Sequence, residues 1–460
     1  MIFKEAVSTL ADELAVPGVS VAVLSEGQEI YAFHGVTSVE NPLPVDAETL
    51  FQFGSTGKTY TATAIMRLVE RGEVDLEAPV RRYVPELRLA DEDAAATVTV
   101  LQLLNHTAGW EGDLLDDTGE GDDALARYVE LMAKLRQERR PGTAVSYNNS
   151  ALSLAGRLIE KVTGKSYETA LGELVLGPLG LDHTFFFLND IATRRFVVGH
   201  TRHDDGRITI ARPFTLPRGG NPAGGMSANA ADQLAWARFH LGDGTAPGGT
   251  RLLSAESVAL MQQPTATMEG SALGDAVGIS WMLKDLAGLR LVAHGGTTIG
   301  QHSEFVMVPE RGFAFVSMTN CGPNGPELNE KLQRFAFAHF LGVSLPEEVG
   351  VSLSDEELAP FTGRYETLAA VCELTVSAGR LLAAVSIKPE TLASLGASAE
   401  EFAQPPMALA MLAAGSDRFV VPDGPGKGRQ GYFTRDAAGA VDGVHLGGRL
   451  ANRVAAPAPA

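Results

Sequence analysis

The sequence predicts an α+β protein whose sheet is interrupted by a helical insertion and followed by a small β-barrel or sandwich. Three observations carry this reading. Hairpin signals stand near both ends of segment 1–345, helical periodicity fills the interval, and short β-like runs occupy the last hundred or so residues. Along the chain, Val19, Val21 and Val23 alternate with small or polar residues, and Glu26-Gly27 turns the chain into 30–33, a β-hairpin. Ala62, Ile65, Met66 and Val69 form an apolar stripe at helical spacing that ends at Gly72. Further helices are expected at 99–105, 123–137, 150–163, 229–241 and 254–262. A second hairpin joins 305–308 to 312–318 across Pro309–Arg311, and a helix-like run, 327–343, follows it. Strands at both ends with helices between them make a sheet from distant segments, without βαβ alternation.

Residues 1–345 are therefore read as one unit and the acidic, proline-bearing 346–358 as a linker. The runs GRYE, CELTVSAGRLLAAVS, DRFVVPDG, GYFTRD and AVDGVHLGGRL make 359–454 the small β-domain, and 455–460 reads as a flexible tail.

The chain has 460 residues, with 37 Lys and Arg against 56 Asp and Glu, a net charge of −19, and 45% apolar residues. This composition excludes wholesale disorder. It also argues against a nucleic-acid partner, which calls for a stripe of Lys and Arg that is not there. The expected partner is a small-molecule or peptide substrate. The longest apolar run, Met407–Ala414, is too short for a membrane span. Glu5, Asp12 and Glu13 fall where a signal peptide needs an apolar stretch. As given, the chain reads as cytoplasmic, and as periplasmic or secreted if a leader was trimmed. Cys321 and Cys372 make no disulfide framework, and His200-x-x-His203 lacks a third ligand nearby. Neither a metal nor a cofactor is expected.

The densest chemical signal is FQFGSTGKTYTATAIMRLVERG, 51–72. Gly57-Lys58-Thr59 mimics the end of a P-loop, but that motif needs Gly where the chain has Gln52. The competing reading is a nucleophile, Ser55-x-x-Lys58. If Ser55 opens a helix, residues i and i+3 share a face and the Lys58 amine reaches the Ser55 hydroxyl. Serine needs a base, and lysine serves if desolvation or nearby cations strip its proton. Unpaired N–H groups of the first helical turn favour developing negative charge.

Two further elements fit this chemistry. Tyr147-x-Asn149 follows the Pro141-Gly142 turn and precedes a helix, so a phenol could share proton transfer and an amide could bind a substrate carbonyl. By itself the tripeptide would be an Asn-rich helix cap. Leu291–Ala293 is an apolar strand leading into His294, Gly295, Gly296 and Thr297. Glycines there admit a ligand to the backbone, so the Thr297 N–H could join that of Ser55 as an oxyanion hole. The plain alternative for His294 is a strand-end histidine without a role.

Ser55-x-x-Lys58, Tyr147-x-Asn149 and His294-Gly295-Gly296, in that order, resemble the three motifs of the serine β-lactamase and penicillin-binding-protein superfamily. The Tyr-x-Asn version is similar to class C β-lactamases, D-alanyl-D-alanine carboxypeptidases, and the related esterases and D-aminopeptidases of the S12 type. Leu103–Gly109 (LLNHTAG) and Gly224-Gly225-Met226-Ser227 resemble two further family segments. The resemblance implies a β-lactamase/transpeptidase-like antiparallel sheet flanked by helices with an inserted helical subdomain, and a lipocalin-like C-terminal barrel. It implies attack by Ser55, an acyl-enzyme, and proton transfer shared by Lys58 and Tyr147, with the base in acylation left open. Where penicillin-recognising members have Lys-Thr-Gly, this chain has His294-Gly295-Gly296. That resembles D-aminopeptidases and esterases and disfavours β-lactamase or penicillin-binding activity. The C-terminal domain could project a loop over the cleft; the competing reading is a stabilising appendage or a homodimer surface.

Two rivals of other kinds stand beside this hydrolase. One is a non-catalytic binding or scaffold member of the same fold. The other uses Ser227 in Gly225-x-Ser227-x-Asn229, but a nucleophile elbow needs Gly at 229, and Ser227 reads better as a helix cap.

Overall fold

A computed structural model describes residues 2–395, 405–424 and 426–454; the expected tail, 455–460, lies outside the described residues. Helix α1 (Phe3–Glu13) leads into the first hairpin, β1 (Gly18–Ser25) and β2 (Gln28–Gly35). The chain then leaves the sheet for more than 200 residues, through α2 (Gly57–Glu70), α3 (Asn149–Thr163) and α4 (Ala230–Leu241). It returns as β3 (Ala266–Ser271), β4 (Gly274–Val277), β5 (Met282–Leu286), β6 (Leu289–Ala293), β7 (Gly296–Thr297), β8 (His302–Val308) and β9 (Phe313–Thr319), followed by α5 (Asn324–Ala336). The order across the nine-stranded antiparallel sheet is β2-β1-β9-β8-β6-β5-β4-β3, with β7 also pairing β8. The two hairpins read from the sequence are thus neighbours, with Val21 opposite Ser317 and Phe305 opposite Val316.

Both faces of this sheet are buried. Val19, Val21, Val23, Phe313 and Phe315 pack under the terminal helices α1 and α5. Ala22, Leu24, Ala314, Val316 and Met318 face the helical side. Such two-sided burial accounts for strands that are apolar throughout. Helix α2 is more deeply placed than a one-sided stripe predicts: every residue from Gly57 to Met66 is buried. It runs between the sheet and the inserted helices, and its threonines are satisfied internally, Thr61 by the Pro222 carbonyl at 2.7 Å and Thr63 by that of Thr59 at 2.8 Å.

Helices occur at Val100–Leu104 and Ala255–Met261 as the periodicity predicts, but the helix expected over 123–137 ends at Leu131. A 3-10 turn follows, and residues 136–138 then run beside 109–111, with the Glu111 N–H bonded to the Arg136 carbonyl. Backbone pairing with a distant segment outcompetes helix propagation there. Asn229, rather than Ser227, caps α4, its side chain accepting from the Asp232 N–H at 2.9 Å; Ser227 lies in the short strand Ser227–Ala228.

The C-terminal strands close into an eight-stranded barrel, which decides between barrel and sandwich. They are β10 (Gly363–Glu366), β11 (Ala370–Ser377), β12 (Arg380–Ile387), β13 (Met407–Met411), β14 (Arg418–Val420), β15 (Gln430–Arg435), β16 (Val441–Leu446) and β17 (Arg449–Val454). The apolar run at 407 supplies β13. The barrel interior is filled by Phe361, Tyr365, Phe419 and Phe433, among others. Closure leaves no open edge among the described strands of the barrel, and the β16–β17 turn at Gly447-Gly448, both at positive φ, reaches the loop before α3, where the Tyr147 N–H donates to the Gly448 carbonyl. No helix among the described residues is long and apolar enough to cross a membrane.

Candidate active site

Ser55 sits in a 3-10 turn, Gly54–Thr56, that feeds directly into α2. The turn is bolted to the sheet from both sides. The Thr56 hydroxyl donates to the His294 carbonyl at 2.8 Å, and the Ser303 hydroxyl donates to the Phe53 carbonyl at 2.7 Å. Lys58, one helical turn on and fully buried, places Nζ 3.0 Å from Ser55 Oγ and donates to the Ala223 carbonyl at 2.6 Å. Ala223 immediately precedes the glycine-rich Gly224–Ser227 segment.

Burial, seconded by the nearby Arg449 guanidinium, holds the Lys58 amine well below the usual lysine range, while Asp113 pulls the other way. Nζ thus donates to the Ala223 carbonyl and stands within hydrogen-bond reach of the Ser55 hydroxyl, and the lowered pKa favours the lone pair that a base needs. A buried ammonium would lack a carboxylate partner in direct contact.

Tyr147 lies over this pair, with Lys58 Nζ 4.8 Å from its ring centroid. Its loop is gripped by the LLNHTAG segment: the Ser146 N–H donates to the His106 carbonyl at 2.9 Å and the Asn148 N–H to His106 Nδ1 at 3.1 Å. Asn148 caps α3 by accepting from the Ala151 N–H, which makes Asn149 the first residue of that helix. Burial raises the Tyr147 phenol above its usual value, against the lowering effects of a hydrogen bond with Ser55 and the charge of Arg449. Asn149 differs from expectation: one N–H of its amide is taken by Asp113 Oδ1, at 2.7 Å. The ionised carboxylate is a stronger acceptor than a carbonyl.

At the other wall, β7 runs against the Ser55 turn, backbone to backbone. A Cβ on Gly296 would stand 1.9 Å from the Phe53 carbonyl oxygen and 2.7 Å from the Ser55 nitrogen, and one on Gly54 would stand 2.7 Å from the Thr297 nitrogen. Glycine at both positions is what lets the Ser55 and Thr297 amides lie on touching segments. His294 is buried, with its Nδ1–H on the Gly295 carbonyl at 2.7 Å and no hydrogen-bond partner at Nε2 among the described residues. Burial, then the proximity of Lys58, lowers it to about 3, so the ring is neutral. Gly295, beside it, would put a Cβ 3.2 Å from the Ser303 carbonyl oxygen.

Ser55, Lys58, Tyr147, Asn149, His294, Gly295, Gly296 and Thr297 thus come from three separate stretches to line one site. Sequence reasoning missed two members. Arg449, on β17 of the barrel, sets its guanidinium carbon 5.1 Å from the Tyr147 centroid and pairs with Asp113 through two hydrogen bonds, 2.6 and 3.1 Å. No local pattern marks either residue, because each acquires its role only when the barrel docks. Ser227 stands apart as a strand residue paired with Gln52 and Phe185. His200 has both ring nitrogens on backbone groups, the Asn320 carbonyl and the Val39 N–H.

Comparison with known proteins identifies the family and the fold. The model of the Beta-lactamase family matches residues 3–339. Penicillin-binding protein 4 of Amycolatopsis lactamdurans is 35% identical over 370 residues, covering 79% of this chain and 97% of that protein. The crystal structure of SurE with D-Leu superposes with a TM-score of 0.72 at 26% identity, covering 98% of each chain. The octameric penicillin-binding-protein homologue from Pyrococcus abyssi shares the fold over 98% of each chain, with a TM-score of 0.65 at 22% identity.

Proposed function

The chain belongs to the β-lactamase and penicillin-binding-protein family of serine hydrolases, and from that premise we propose that it cleaves an amide, peptide or ester bond through an acyl-enzyme on Ser55. The observation that carries the reading is the fully buried Lys58 amine 3.0 Å from the Ser55 hydroxyl, where burial favours the unprotonated form. Ser55 Oγ attacks the substrate carbonyl as Lys58 takes its proton. The oxyanion rests between the Ser55 and Thr297 N–H groups. The tetrahedral intermediate collapses by breaking the bond to the leaving group, which takes a proton by way of Tyr147. Water then attacks the acyl-enzyme, releasing the acid and restoring Ser55.

The substrate class is an acyl group bearing a D-residue, in D-aminopeptidase-, carboxypeptidase- or esterase-like fashion. Support comes from the D-Leu held by the structurally similar SurE and from neutral His294, which offers no ammonium for the carboxylate of a β-lactam.

The test is hydrolysis of p-nitrophenyl acetate and labelling by a fluorophosphonate probe, followed by a panel of D- and L-amino-acid amides, peptides and β-lactams. Ser55→Ala should abolish turnover and labelling, and D-configured amides or esters should outrun their L-counterparts. Undiminished turnover in Ser55→Ala would remove Ser55 as nucleophile; preferential β-lactam turnover would overturn the substrate class.

A further inference from the structure

Building on the Ser55–Lys58 reading above, we infer that Arg449, delivered by the C-terminal barrel, is a positioning residue of the catalytic centre that acts on Lys58 and Tyr147 through its charge. Two basic side chains share one aromatic ring here, Lys58 Nζ at 4.8 Å and the Arg449 guanidinium at 5.1 Å from the Tyr147 centroid. Arginine does not give up its proton, so the mutual repulsion falls on the lysine. That favours the neutral amine Ser55 needs, and the same positive charge favours the phenolate form of Tyr147.

The guanidinium is fixed from three directions. The Tyr147 N–H donates to the Gly448 carbonyl at 2.9 Å, the Leu450 N–H donates to the Ser146 hydroxyl at 3.2 Å, and Asp113 holds the side chain itself. Asp113 also grips Asn149, so one ion pair anchors the whole Tyr147-x-Asn149 segment. Gly448, at φ +85°, lets the turn press against Leu273. The barrel thereby contributes a working part of the site.

The surrounding charges leave this effect intact. His106 and His294 are both held neutral by burial beside Lys58. His445, near Arg449, is lowered to about 4, so it is uncharged as well. Glu111 and Glu138 line the small cleft next to Arg449, with Glu138 raised to about 7 by burial; both are the same in every variant compared below. Asp113 keeps 17% of its side-chain surface and Arg449 37%, so water screens part of the field. The expected shift is therefore about one pH unit rather than several.

The experiment is the rate of fluorophosphonate labelling of Ser55 from pH 5 to 10, in the full chain, for wild type, Arg449→Met, Arg449→Lys and Asp113→Asn. Labelling rises with pH as Lys58 loses its proton. In Arg449→Met the midpoint should move up by about one unit, since losing the guanidinium and freeing Asp113 both favour the ammonium. Arg449→Lys should stay close to wild type. Asp113→Asn should move the midpoint down, because the anion that favours the ammonium is gone. Opposite displacement by the two members of one ion pair is something a purely structural contact does not produce. Coincident midpoints, or displacement in the same direction, overturn the inference whatever happens to the amplitude. Should Arg449→Met fail to fold, the downward movement in Asp113→Asn decides alone. A wild-type chain that carries no label on Ser55 overturns the parent reading and this inference with it; a labelled wild type with unmoved midpoints overturns this inference only.

Discussion

Replacing Gly296 by alanine probes the oxyanion hole without touching a side chain that takes part in chemistry. The new Cβ would lie 1.9 Å from the Phe53 carbonyl oxygen and 2.7 Å from the Ser55 nitrogen, against a floor of 3.0 Å for real Cβ contacts. Both neighbours are backbone and both are anchored, Phe53 by Ser303 and the following turn by Thr56. The lighter, more exposed partner is β7, a two-residue strand, so β7 must withdraw by about 1 Å. That carries the Thr297 N–H away from where the oxyanion forms. Loss of one such donor costs roughly 10²–10³ in kcat, or about 2.7–4 kcal/mol. Steady-state hydrolysis of p-nitrophenyl acetate should show the fall mainly in kcat, since the donor matters most when charge has developed. Thermal melting of the variant guards against simple unfolding. A folded Gly296→Ala protein with kcat within twofold of wild type would refute the assignment of Thr297 to the oxyanion hole.

Further outcomes follow from the same geometry. Tyr147→Phe keeps the ring and its packing but loses the hydroxyl, so turnover should fall roughly 10²–10⁴-fold, while a near-wild-type rate would take the phenol out of proton transfer. Lys58→Met removes a group whose proton the folded state rejects. The unfolded chain binds that proton below lysine's ordinary range, so the melting temperature of the variant relative to wild type should rise as pH falls from 10 toward 6. A gap independent of pH would mean that Lys58 is buried charged. Glu138, raised by burial and by Glu111 to about 7, contributes stability below its unfolded value, and this is lost as pH rises through 7. Glu138→Gln should therefore raise the melting temperature at pH 8 and leave it little changed at pH 4.5; equal effects at both would contradict a carboxyl that folds protonated.

Much of the site was legible because its chemistry is local. Ser55 and Lys58 are three residues apart at a helix start, and the helix itself brings amine to hydroxyl. Tyr147-x-Asn149 follows a turn and enters a helix, and its loop is held by the His106 segment already recognisable at 103–109. The two hairpins were readable from alternation and turn residues, and their adjacency from the need to bury both sets of strands. The extent of the helix near 123–137 was not, since residues 136–138 find backbone partners at 109–111 that no local pattern announces. Nor was the burial of α2 from Gly57 to Met66, whose exposed-looking threonines are satisfied by carbonyls of its own turns and of the distant Pro222.

The sequence by itself marked Ser55, Lys58, Tyr147 and the glycines of β7 as candidates, with the acylation base left open between Lys58 and Tyr147, and a β-rich end following a sheet-bearing segment. Each of these depends on residue type and short spacing, which secondary structure converts directly into geometry. Only the tertiary structure decided that the β-rich end is a closed barrel and that its β16–β17 turn lies on the Tyr147 loop. It also decided that Arg449 meets Asp113 across 336 residues of chain. Such a pair has no periodicity, because its members are brought together by the packing of segments far apart in the chain.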